Sequence, residues 1–236
     1  MAHLRTLAVV TFALLCAACS ETPASCGAKV AAAFERLRTS DRPYRKETVF
    51  VVNDHQTFHE IVEFVPPDRM RKITNNGLPG YERVETIRIG ERAWSNEGER
   101  WSQWEPGLAE NIYGVDTRSW PPAPAVPTDT AFECLGRVEF KGTTYIGYRQ
   151  PLVKGVVRIV TDSGGRLNEK EEQEVLSRLY QMPQTLRTVL IDWPGMLPAY
   201  DIWAPENQLD NPKSSDHYTY PGAISIEAPA HYGFKR

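Results

Sequence analysis

The sequence predicts an α+β protein built on one large, curved, antiparallel sheet, and three observations carry that reading. Much of the chain alternates every second residue between polar and β-branched or aromatic side chains, the period of a half-exposed strand. The links between these stretches run to only a few residues, too short for the crossovers that parallel strands need. A clear helical period is confined to the N-terminus and to insertions, so the two or three helices it gives can cover only one face of a sheet of about a dozen strands.

Residues 27–38 place Val30, Phe34 and Leu37 at i, i+4 and i+7, with Lys29, Glu35, Arg36 and Arg38 around the stripe, and so predict a helix of about three turns. Pro43 ends it, because a proline disfavours helical geometry in the residue before it. From Tyr44 the period becomes two. Residues 44–53 and 57–65 predict a hairpin across Asp54, His55 and Gln56. Pro66, Pro67 and Asp68 turn the chain into a strand at 69–74, and the Asn-Gly-Leu-Pro-Gly run at 76–80 turns it again into 81–89. Gly90 breaks that run, and 93–95 with 100–104 make a further hairpin.

Residues 106–130 hold Pro106, Pro121, Pro122, Pro124 and Pro127, too many for the interior of a strand or helix. They predict a long covering loop or lid with a short helical turn at 108–113. Strands follow at 131–140, 143–150 and 155–161. Asn168 caps a surface helix over 169–181, whose apolar edge is Val175, Leu176, Leu179 and Tyr180. Strands at 186–192, 199–203, 217–220 and 223–227 complete the sheet.

The first 18 residues read as a secretory signal, with Arg5 ahead of an apolar run broken only by Thr11 and closed by Ala17 and Ala18. That run is about 12 residues, whereas a membrane-spanning helix needs roughly 20. The Ala17-Ala18-Cys19 step resembles the lipobox of bacterial lipoproteins, in which the cysteine is lipidated, although Cys16 stands where that pattern prefers leucine. Ordinary cleavage near Ala18 or Ser20, releasing a soluble protein, is the alternative. Ser20 in place of an aspartate implies an outer-membrane anchor facing the periplasm. The expected organisation is a signal peptide at 1–18, a tether at 19–25 and one domain at 26–236.

Composition narrows the function classes. The 236 residues carry a formal charge of −3 and no basic patch, which argues against nucleic acid. Cys26 and Cys134 are the thiols left once Cys16 and Cys19 are assigned, and in an oxidising compartment they are expected to form a disulfide. A thiolate nucleophile or metal pair is the alternative, but there is no C-x-x-C and no histidine near either in sequence. No catalytic residue, metal site or cofactor is assigned: His55 and His59 are four apart but flank a hairpin turn, Ser163-Gly164-Gly165 reads as a turn, and no G-x-S-x-G elbow is present. Asp192, Asp201 and Glu227 read as solvated carboxylates at strand ends rather than an acid–base pair. The aromatic residues are the more specific signal. Trp94, Trp101, Trp104, Trp120 and Trp203 suit a cleft for an apolar ligand with a polar rim; filling the core of a strongly curved sheet is the alternative, and the commoner use of such residues.

Several short motifs carry a resemblance. Val62-Glu63-Phe64-Val65-Pro66-Pro67-Asp68-Arg69-Met70-Arg71, then Ile87-Arg88-Ile89-Gly90 leading to Trp94, and Asp192-Trp193-Pro194-Gly195-Met196-Leu197-Pro198 are similar to steps of the LolA-like lipoprotein-carrier superfamily. The resemblance spans about residues 27–229. It implies an unclosed half-barrel, lid helices over an apolar cavity for acyl chains, and an arginine on the barrel wall that holds the lid closed, for which Arg45, Arg69 and Arg71 are the candidates. The function it implies is that of a non-enzymatic, membrane-tethered envelope lipoprotein holding a lipid or other hydrophobic ligand. The alternative is a structural or interaction lipoprotein that docks another envelope component without a small ligand. Because a shuttling carrier should be soluble, a tethered one fits receiving, storing or presenting its ligand at one leaflet.

Overall fold

A computed structural model describes residues 22–53, 56–75, 83–97, 100–104, 126–150, 185–205 and 208–235. In chain order the elements are α1 (Pro23–Thr39), β1 (Tyr44–Asn53), β2 (Gln56–Val65), β3 (Arg69–Asn75), β4 (Val84–Ile89), β5 (Arg92–Glu97), β6 (Trp101–Trp104), β7 (Glu133–Phe140), β8 (Thr143–Gln150), β9 (Thr185–Ile191), β10 (Pro198–Pro205), β11 (Ser214–Thr219) and β12 (Gly233–Lys235). The strands form a single sheet in the order β12-β6-β5-β4-β3-β2-β1-β11-β10-β9-β8-β7. Every pairing is antiparallel except that of β12 with β6. The sheet curves without closing, which makes the protein an α+β half-barrel.

Helix α1 starts four residues before the expected position. Thr22 caps it by accepting the Ser25 N–H on its hydroxyl at 3.2 Å, and Pro23 fills the first turn, where no N–H is needed. Residues 23–25 of the expected tether are therefore helical. The stripe of Val30, Phe34 and Leu37 is almost completely buried against Tyr44, Val62, Phe64, Met70, Val189, Ile191 and Tyr218. The sheet face that receives α1 is the inner face. Two further contacts lock the helix there. Cys26 and Cys134 are joined by a disulfide that ties α1 to β7. Gly27 lies so close to the segment before β7 that a Cβ on it would stand 1.8 Å from the Thr130 carbonyl oxygen, so only glycine fits without a shift.

Hairpin links match the expected antiparallel meander. Between β7 and β8 the chain turns on Lys141 and Gly142, both at positive φ, as a two-residue turn of the primed kind requires. The expected strand at 223–227 does not pair. It lies between Pro221 and Pro229, and its Ile224 and Ile226 instead pack side-on against Ile87, Trp94 and Trp101 on the outer face. Arg69 donates from Nη1 to the Ile226 carbonyl at 2.9 Å and pins this strap. The chain then enters the sheet as β12, three residues too few for any period to be read. β11 also begins earlier than expected, at Ser214, because its partner β1 reaches Phe50 opposite it.

Among the described residues α1 is the one helix. The expected lid helices at 108–113 and 169–181, the strand at 155–161, and the proline-rich stretch up to residue 125 lie outside the described residues, as do Cys19, Trp120 and His55. Among the described residues no helix is long and apolar enough to cross a membrane.

Candidate functional site

Strand register sorts side chains between the two faces of the half-barrel. On β1, Tyr44, Lys46, Thr48 and Phe50 share the inner face; opposite them on β2 are Phe64, Val62, Glu60 and Phe58. Met70 and Lys72 continue the face on β3, Asp216 and Tyr218 on β11, Asp201 and Trp203 on β10, and Arg187 and Val189 on β9. Read along the strands, the face has three zones. An apolar floor lies under α1, a charged belt crosses six strands, and an aromatic rim of Phe50, Phe58 and Trp203 follows.

Every belt charge faces an opposite one. Lys72 Nζ lies 2.8 Å from Glu60 Oε2, and Lys46 Nζ lies 4.0 Å from both Glu60 and Asp216. The Thr48 hydroxyl donates to Asp216 Oδ1 at 2.6 Å. Arg187 donates from Nε and Nη2 to the two carboxylate oxygens of Asp201 at 2.9 and 2.7 Å. Its guanidinium also lies 5.8 Å from the ring centroids of both Phe132 and Trp203. Burial raises the Asp216 carboxyl above the ordinary range, opposed by Lys46 and the Thr48 hydrogen bond. Burial is the largest single influence and opposes the charge on Arg187, yet the hydrogen bonding and charge of Asp201, with Tyr218 and Asp216, together outweigh it and the guanidinium pKa rises.

The tryptophans expected to line one cleft are divided between the faces. Trp104 and Trp203 are on the inner face. Trp104 is buried and donates its indole N–H to Ser95 Oγ at 2.7 Å, whereas Trp203 is 42% exposed at the rim. Trp94 and Trp101 are on the outer face, where Trp94 is buried beneath the C-terminal strap and its ring meets Tyr232 edge-on at 6.0 Å. Asp201 corrects its reading as a solvated carboxylate, since it is buried in mid-strand and bonded to Arg187. The three candidate wall arginines are on the outer face as well. Arg45 faces Glu63 at 3.7 Å, Arg71 faces Glu85 at 2.7 Å, and Arg69 holds the strap. The arginine of the inner belt is Arg187, which sequence reading passed over. His59 Nε2 lies 2.7 Å from Glu47 Oε1, and among the described residues no three His, Cys, Asp or Glu side chains gather as a metal site would need.

Among the described residues, concavities also occur away from the belt. On the outer face a cleft of about 200 Å³ is lined by Phe140, Lys141, Tyr200, Leu209 and His217. There the His217 ring stacks on Tyr200 at 4.3 Å, Phe140 meets Tyr200 edge-on at 5.0 Å, and Lys141 Nζ lies 5.4 Å above the Tyr200 ring. Burial and Lys141 lower the His217 pKa. Along α1, Ala28, Ala31, Ala32 and Val126 line a groove of about 370 Å³.

A curved, unclosed antiparallel sheet with an N-terminal helix packed on its inner face is the arrangement that the motif resemblance implies. No protein-family model matches the chain, and no curated protein matches it. Among solved structures it is similar to LprF from Mycobacterium bovis, at 11% identity and a TM-score of 0.48 over 89% of this chain and 100% of that chain. It is similar to the Mycobacterium tuberculosis lipoprotein LppX at 9% identity and a TM-score of 0.44, over 86% of this chain and 98% of that one. The MucA/MucB complex of Pseudomonas aeruginosa matches at 14% identity and a TM-score of 0.43, over 87% of this chain and 61% of that chain.

Proposed function

We propose that this chain is a membrane-tethered envelope lipoprotein that holds a lipid or other hydrophobic ligand on the inner face of its half-barrel, without enzymatic chemistry. The observation that carries this reading is the rim: Phe50 and Trp203, both large and apolar, are 46% and 42% exposed on the inner face of a sheet that does not close. Exposed aromatics on a concave face, bordered by polar groups, suit an apolar ligand whose burial removes their surface from water. The signal-like N-terminus and Cys19 supply the tether, since several acyl chains together hold a protein firmly to a leaflet.

The test is the lipid content of protein purified from membranes, read by solvent extraction and native mass spectrometry. Stoichiometric lipid beyond the covalent anchor supports the reading. Repeated absence of it, together with no uptake of an apolar fluorescent probe, overturns it. A second reading, an interaction lipoprotein that docks another envelope component, draws on the outer-face cleft around Tyr200 and His217. That reading gains where the first one fails.

A further inference from the structure

The inner-face belt carries more information than an apolar cavity would. Asp216, Lys46, Glu60 and Lys72 are on four adjacent strands, β11, β1, β2 and β3, each diagonal to the next by two residues of register, so their charges alternate minus, plus, minus, plus in a zigzag across the face. All four side chains are between 14% and 23% exposed, neither sealed nor freely solvated. Lys46 is the open member of the row. At 4.0 Å from both carboxylates it is ion-paired but beyond hydrogen-bond length, which leaves its N–H donors within reach of a ligand oxygen. Apolar floor lies on one side of the row and the Phe50, Phe58 and Trp203 rim on the other.

We infer that the row recognises the head group of a zwitterionic phospholipid bearing a primary amine, a claim that rests on the lipid-binding reading above. A phosphate oxygen over Lys46 meets the ammonium group that lies beyond hydrogen-bond length of its own carboxylates, and the ligand ammonium reaches the Glu60 carboxylate on the neighbouring strand. The acyl chains lie against the rim aromatics. An anionic head group meets as many carboxylates as ammonium groups, so the row gives it little net attraction. A quaternary amine has no N–H to donate to Glu60 or Asp216, which removes the charge-assisted hydrogen bonds that would hold it.

The experiment uses the mature lipoprotein in detergent and three short-chain probes, dioctanoyl phosphatidylethanolamine, phosphatidylcholine and phosphatidylglycerol, with binding read by native mass spectrometry. The ethanolamine lipid is expected to bind about tenfold more tightly than the glycerol lipid, the scale of one charged hydrogen bond. Glu60→Gln is expected to shrink that preference to about twofold while its circular dichroism matches the parent. Equal binding of all three, or tightest binding of the glycerol lipid, overturns the head-group claim while leaving a lipid ligand in place. Failure of all three and of an apolar probe overturns the lipid-binding reading itself. The comparison among lipids on the unmodified protein stands even where Glu60→Gln does not fold.

Discussion

Arg187 on β9 and Asp201 on β10 form a two-pronged ion pair on the inner face, at 2.9 and 2.7 Å, with the Phe132 and Trp203 ring centroids each 5.8 Å from the guanidinium. Their side chains are 15% and 8% exposed, so the ion pair is largely removed from water. Both partners are committed to each other, which fixes one end of the belt and the position of the rim tryptophan.

Removing one partner of such a pair leaves the other buried and uncompensated. Asp201→Ala is expected to cost about 3–5 kcal/mol in urea unfolding, whereas Arg187→Met combined with Asp201→Leu, which removes both charges, is expected to cost far less. A double variant as unstable as Asp201→Ala would mean that packing, not charge, holds β9 to β10 here.

The disulfide joins residues 108 positions apart, Cys26 in α1 and Cys134 in β7. A loop that long implies about 4–5 kcal/mol of stabilisation in the chain-entropy account. Replacing both cysteines with alanine should lower unfolding stability by that order and make the protein insensitive to reductant. A loss below about 1 kcal/mol would show that packing of Val30, Phe34 and Leu37 already fixes α1 without the bond.

His217 makes stability depend on pH in a defined direction. Burial first, then Lys141 and Arg45, lower its pKa from the ordinary 6.5, while Glu47 opposes them and the ring stacks on Tyr200. As pH falls below 6.5 the unfolded chain takes up a proton that the folded ring does not, so the unfolded state binds more protons and stability drops until the lowered pKa is passed. The parent should therefore lose stability relative to His217→Phe between about pH 7 and pH 5 in paired unfolding curves. A constant difference across that range would contradict this.

Membrane attachment has a separate check. On the proposed lipid anchor, Cys19→Ala is expected to move the protein from the membrane to the soluble fraction of the envelope, since the residue proposed to carry the acyl chains is lost. If the variant stays with the membrane, the tether lies elsewhere.

Much of this architecture was legible in the sequence, and the parts that were not share a physical cause. The meander from β1 to β6 announced itself through period-two alternation and turn residues such as Pro66, Pro67 and Gly90. The assignment of faces did not. On β1 the inner residues Tyr44, Lys46, Thr48 and Phe50 are as mixed in polarity as the outer Arg45, Glu47 and Val49, so alternation marks a strand without saying which side holds the core. Trp94 and Trp104 are separated onto opposite faces by register alone. Ile224 and Ile226 alternate as a strand would, yet their burial comes from packing on Trp94 rather than from a ladder. Asp201 and Arg187 meet only because β9 and β10 pair in one register, and that information is long-range.

The central claim is that ligand sits on the inner face of the sheet and not on its outer face. The direct measurement places the photo-crosslinking residue p-benzoylphenylalanine at Phe50 on the inner rim, or at Tyr232 on the outer face, in separate preparations from membranes. Irradiation should add the mass of a lipid at position 50 and none at position 232. Lipid adducts at position 232 but not 50, or at neither, would contradict the account.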